Sequence, residues 1–105
     1  MKMLLSQPVR PRAVFCISDR AAFGAYSAIQ EAGLRIPEDI ALVGFDDIPE
    51  SQRVSPSLTT IHMPKHEMGI EAARKLVQII SRPPELRDFP VKITLPTYLV
   101  QRSSS

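Results

Sequence analysis

The sequence predicts an α/β fold: a parallel sheet with flanking helices, and an incomplete one. Three observations carry this. Ala13–Ile17 and Ile40–Phe45 are short, continuous apolar runs, the pattern of strands buried on both faces. The stretch between them favours a helix, so the unit reads strand, helix, strand, with the two strands parallel neighbours. A second helical stretch, Lys65–Ile80, carries an apolar stripe for which the chain offers no evident partner. Two helices cannot cover both faces of such a sheet, so the chain reads as a piece of a larger α/β protein.

Taken in order, residues 1–12 form a leader ending in Pro8-Val9-Arg10-Pro11-Arg12, a loop with two prolines. The first strand is Ala13–Ile17. Ser18 and Asp19 follow, both good helix caps, and alanines at 21, 22, 25, 28 and 32 favour a helix over about residues 21–32. Gly33 suits the position just past its end, Leu34 the accompanying apolar contact, and Pro37 the stop. The second strand is Ile40–Phe45. Residues 47–56 are loop or short helix, and the β-branched segment Ser57–Ile61 is extended. Pro64 fits the first turn of the helix Lys65–Ile80, in which Ile70, Ala73, Leu76, Val77 and Ile80 share one stripe. Ser81-Arg82-Pro83-Pro84 stops it. Val91–Leu95 and Tyr98–Val100 read as further strands, and a serine tail ends the sequence.

Composition narrows the function. The net charge is +2 with Lys and Arg scattered rather than clustered, and aromatic residues make up 6%, which argues against a nucleic-acid surface on this segment. The single cysteine, Cys16, lies in an apolar strand and has no internal partner, consistent with a buried thiol in a reducing cytoplasm. No apolar run approaches the ~20 residues of a membrane span. There is no glycine-rich phosphate loop and no nucleophile elbow, so an enzyme is not expected. His62 and His66 lack a third ligand, so neither a metal nor any other cofactor is expected.

The richest stretch is Ile40-Ala41-Leu42-Val43-Gly44-Phe45-Asp46-Asp47-Ile48-Pro49. Carboxylates just past the C-terminal end of a strand sit where open α/β sheets bind ligands. A carboxylate accepts several hydroxyl hydrogen bonds, which suits a sugar or nucleoside. Adjacent carboxylates lack the substrate-wide gap that paired acid–base catalysis needs. Asp47 and Asp19 read mainly as capping or surface residues.

Several segments, in order, resemble the C-terminal part of the lactose/galactose repressor (LacI/GalR) family of bacterial transcription regulators. They are Ala13-Val14-Phe15-Cys16-Ile17-Ser18-Asp19, Ala22-Phe23-Gly24-Ala25, Gly33 to Ile40, Val43-Gly44-Phe45-Asp46-Asp47, Ser55 to Ile61 and Leu95 to Arg102. The resemblance implies part of a periplasmic-binding-protein-like, Rossmann-like domain. Residues 1–105 would form the C-terminal part of an effector-binding domain, and residues 65–81 the helix that packs on an N-terminal lobe lying outside the chain. It implies Asp46 as an effector contact, Ser18 and His62 as further ligand-binding residues, and a homodimer interface through Ala25, Tyr26, Gln52 and Val54. The partners implied are a small sugar or nucleoside-like effector and a second copy. DNA would be reached only through a helix-turn-helix that this chain lacks. The alternatives are a piece of a periplasmic sugar carrier of the same fold, or an assembly segment that binds no ligand.

Overall fold

The computed structural model describes residues 1–86 and 92–105. Contacts divide the chain into two units, residues 1–63 with 98–105, and residues 64–97. The first unit holds the sheet. Its elements are α1 (Lys2–Leu5), β1 (Ala13–Phe15), α2 (Asp19–Glu31), β2 (Ala41–Asp46), a single 3-10 turn (Pro49–Gln52) and β3 (Thr59–His62). The second unit contributes α3 (Lys65–Ile80), and β4 (Tyr98–Val100) returns to the sheet. The strand order is β1-β2-β3-β4, parallel except for the last, antiparallel pair.

Local chemistry sets the ends of α2. Ser18 has extended backbone and its Oγ accepts the Ala21 N–H at 3.2 Å, so Ser18, not Asp19, is the cap. At the far end Gly33 takes φ +70°. The Gly33 and Leu34 N–H groups bond the Gln30 and Ile29 carbonyls at 2.9 and 3.1 Å, satisfying the last turn.

The core lies between α2 and one face of the sheet. Ala22, Ala25, Tyr26 and Ile29 from α2 meet Leu42 of β2 and Leu58 just before β3, with Cys16, Ile36 and Ile40 closing the ends. Ile29, Ile40, Leu42 and Leu58 are fully buried, each contributing about 1.5–3 kcal/mol. The opposite face carries Phe15, Val43, Phe45, Ile61 and Leu99. Phe15 is 63% and Leu99 56% exposed. The expectation of strands buried on both faces is therefore corrected: only the α2 face is covered.

Other expectations shift at their edges. The leader holds a short helix rather than a loop throughout. The first strand ends at Phe15, although the Cys16 N–H still bonds the Val43 carbonyl at 2.8 Å. The expected strand Val91–Leu95 begins on a residue outside those described, and residues 92–95 form none. α3 spans the predicted residues, with Pro64 just ahead of its first turn. None of its residues is buried, and Leu76, Val77 and Ile80 are about 60% exposed. Among the described residues no helix is long and apolar enough to cross a membrane.

The serine tail is part of the sheet unit rather than a loose end. Ser104 is fully buried; its Oγ donates to the Leu42 carbonyl at 2.7 Å and accepts the Thr59 N–H at 2.8 Å. Its own carbonyl accepts the Leu42 N–H at 2.7 Å. It thereby bridges β2 and β3 where their direct ladder has not yet begun.

Candidate functional site

The parallel strands bring the predicted ligand residues to one edge. Ser18 follows β1, Asp46 ends β2 and His62 ends β3, so all three lie at the C-terminal ends of parallel strands. Asp46 and His62 are register partners, and so are His62 and Tyr98, which makes a row of three across neighbouring strands. Asp46 is half-buried.

The backbone at this edge is strained. Asp46 and Asp47 both have positive φ, 119° and 52°. Consecutive non-glycine residues in that region cost of order 1–3 kcal/mol each and persist only where the surroundings hold them. Asp19 supplies one part of that hold. It is fully buried at the start of α2, and its Oδ2 accepts from the Ser51 hydroxyl at 2.6 Å and the Ile48 N–H at 3.0 Å. Its Oδ1 accepts from the Thr60 hydroxyl at 2.5 Å. One carboxyl group thus staples the loop after Asp47 to α2 and to β3. The Asp47 N–H lies 3.4 Å from the same Thr60 hydroxyl.

Asp47 supplies the other part. Its Oδ1 accepts from Arg102 Nη2 at 2.6 Å and its Oδ2 faces His62 Nδ1 at 2.9 Å. The Asp47 and Arg102 side chains are only 14% and 12% exposed. Arg102 Nη1 also donates to the Leu58 carbonyl at 2.8 Å, which fixes the guanidinium. Burial pushes the Asp47 carboxyl up. The hydrogen bonds from Arg102 and then His62, with the charge of Arg102, more than reverse this and hold it below the usual carboxylate range. The other face of His62 is stacked by Tyr98, ring centroids 4.7 Å apart at 22°.

Asp47 is therefore neither a cap nor a surface residue, and Asp19 is a buried hub rather than a cap. The Ser18 Oγ accepts from α2, and its O–H is the donor it can offer. Tyr26 and Ala25 are 6% and 5% exposed, and the Tyr26 hydroxyl donates to the Pro56 carbonyl at 2.6 Å. Both belong to the buried core cluster of this unit. Gln52 is exposed and Val54 half-buried. Asp19, Thr60, Tyr98 and Arg102 escape sequence reasoning because their partners lie 13 to 55 residues away. The one available signal is a charged residue, Arg102, two positions past the apolar strand Tyr98–Val100. A cavity of about 310 Å³ lined by Arg10, Arg12, Leu34 and Asp39 lies at the opposite ends of the strands, away from this edge. No cluster among the described residues could hold a metal ion.

The family model described as periplasmic binding protein-like domain matches residues 1–105. The chain belongs to the periplasmic binding protein-like domain family. Its relatives include the ribose operon repressor of Haemophilus influenzae, 45% identical over 103 residues, an overlap of 98% of this chain and 30% of that protein. The HTH-type transcriptional repressor PurR of Escherichia coli is 41% identical over 105 residues, 99% of this chain and 30% of the relative. Among solved structures, a LacI family transcriptional regulator from Enterococcus faecalis with bound ribose superposes with a TM-score of 0.85 at 35% identity, over 98% of this chain and 37% of that one. This periplasmic binding protein-like domain segment thus spans about 30% of the length of the curated relatives it matches, which are transcriptional repressors of the LacI family. The four-stranded, mostly parallel sheet with flanking helices agrees with a partial fold of that family.

Proposed function

We propose that this chain is the effector-binding and dimerisation segment of a LacI/GalR-type bacterial transcriptional regulator, acting in the cytoplasm on a small sugar or sugar-like ligand. The observation that carries the reading is Asp46. It ends β2 with positive φ, next to Asp47 and in register with His62, on a chain 45% identical to a ribose operon repressor. Strain retained at a strand end is a mark of a functional position. Asp46 accepts ligand hydroxyls, His62 and the Ser18 O–H add contacts, and Gln52 and Val54 belong to the surface that meets a second copy.

Residues 1–105 then form the C-terminal part of the effector domain, and α3 is the helix that packs on the N-terminal lobe. That assignment accounts for its exposed apolar residues. Ligand binding favours one of two lobe arrangements and thereby shifts DNA binding by a domain outside this chain, through differential affinity for the two states. The test is calorimetry on the full-length regulator with D-ribose. The wild type binds; Asp46→Ala loses binding while operator affinity without sugar is retained. Unchanged ribose affinity in that variant would remove Asp46 from the site and with it the reading.

A further inference from the structure

The hydrogen-bond chain behind Asp46 determines what the neighbouring histidine can offer. Asp47 is held ionised by the Arg102 guanidinium at 2.6 Å, and an ionised carboxylate can only accept. Its Oδ2 lies 2.9 Å from His62 Nδ1, so that nitrogen must carry the proton. A neutral imidazole has one N–H, and the nitrogen opposite a bonded N–H is then a bare acceptor. The Tyr98 ring, stacked on His62, fixes the imidazole plane. The His62 side chain is 32% exposed, so part of the ring reaches solvent.

We propose that Asp47 and Arg102 are positioning residues that keep the one proton of the neutral His62 ring on Nδ1, so that in the neutral ring Nε2 is a specificity-determining acceptor for a hydrogen-bond donor of the effector. The proposal rests on the functional reading above and narrows its ligand. Asp46 and His62 are neighbours in register and both accept, so the effector must present two donors about one strand spacing apart, roughly 5 Å. Hydroxyls of a polyol ring meet this, as do a hydroxyl and a ring N–H. A ligand whose nearest groups are carbonyls or carboxylates is rejected, because an acceptor facing an acceptor leaves both unpaired.

The test is nitrogen-15 NMR of the imidazole rings at about pH 8.5, well above the ordinary histidine pKa of about 6.5. In the full-length regulator the His62 signals are identified as those missing from the His62→Gln variant. The expected result is a protonated Nδ1 and a bare Nε2 in the ligand-free protein. Asp47→Asn removes the lock, because an amide can both donate and accept, and gives mixed tautomers; Arg102→Lys keeps the Nδ1–H form. A ring protonated at Nε2, or an Asp47→Asn spectrum identical to wild type, overturns the proposal while leaving the Asp46 reading untouched. On titration with D-ribose the Nε2 signal moves while Nδ1 stays protonated. Ribose bound with Nε2 unmoved overturns the acceptor role. An Asp46→Ala variant that binds ribose as tightly as wild type removes the underlying reading and leaves the tautomer result standing.

Discussion

Gly44 of β2 and Asp19 of α2 approach so closely that no side chain fits between them. A Cβ on Gly44 would overlap the Asp19 Oδ1 atom and lie 2.9 Å from Leu58 Cδ2. The Asp19 carboxyl cannot swing aside, because three donors from Ile48, Ser51 and Thr60 hold it. The glycine before Phe45 is thus required by packing, not by its own torsion angle. Gly44→Ala is expected to destabilise the fold by about 1–3 kcal/mol, the usual cost of overpacking. Urea denaturation checks this; a loss below about 0.5 kcal/mol would mean that Asp19 moves freely. Gly24→Ala, where a Cβ meets nothing within 4 Å, serves as the control.

Asp19 itself should be harder to replace than its place on a helix start suggests. Asp19→Ala leaves two buried hydroxyls and one backbone N–H without an acceptor, and buried unpaired groups cost about 1–3 kcal/mol each. The variant is expected to be several kcal/mol less stable. Hydrogen exchange at the Ile48 amide should accelerate more than at Leu42, since the loop loses its staple while the strand keeps its ladder. Equal acceleration at both sites would indicate global loosening instead.

The Asp47–Arg102 pair gives a pH signature. The folded carboxyl pKa is depressed, so the pair's stabilisation is fully present above the unfolded value of about 3.9. It is lost as pH falls through the lower folded value. Arg102→Met leaves Asp47 nearly buried without its main partner, and breaking such a pair costs about 3–5 kcal/mol. The variant's deficit should therefore be large at pH 7, shrink as pH falls toward the unfolded value of about 3.9, and close only at the lower pH where the wild-type carboxyl also protonates. Thermal melts across that range read the difference; a pH-independent deficit would assign the effect to lost packing.

Where local pattern decides, the sequence is legible. α3 carries its period over 16 residues and α2 has a serine cap and a C-terminal glycine, so their existence and ends follow from spacing and caps. β2 is an apolar run bounded by turn residues. The strand-end position of Asp46 follows from the same logic. What escapes is whatever depends on distant partners. Asp19 resembles a helix cap because its partners Ser51 and Thr60 lie more than 30 residues on. Asp47 resembles a surface carboxylate until Arg102 arrives from the end of the chain. The two-face burial expected of β1 is not found, because an apolar run reports what a strand is built to meet, and among the described residues only α2 meets it.

Ser104 makes the same point at a position that composition dismisses as tail. It is fully buried and fills the gap between β2 and β3 below their ladder, with its hydroxyl on the Leu42 carbonyl and the Thr59 N–H. Ser104→Ala keeps the volume and the backbone bond from the Leu42 N–H, but leaves two buried backbone groups without a side-chain partner. The expected loss is about 2–3 kcal/mol in chemical denaturation. Ser103→Ala should be close to neutral, since its Ser57 contact is exposed and 3.3 Å long. If the two variants behave alike, the tail lies on the sheet without holding it. If only Ser104→Ala is weakened, the last residues complete the unit that carries Asp46, because β2 and β3 are the strands that place Asp46 and His62 side by side.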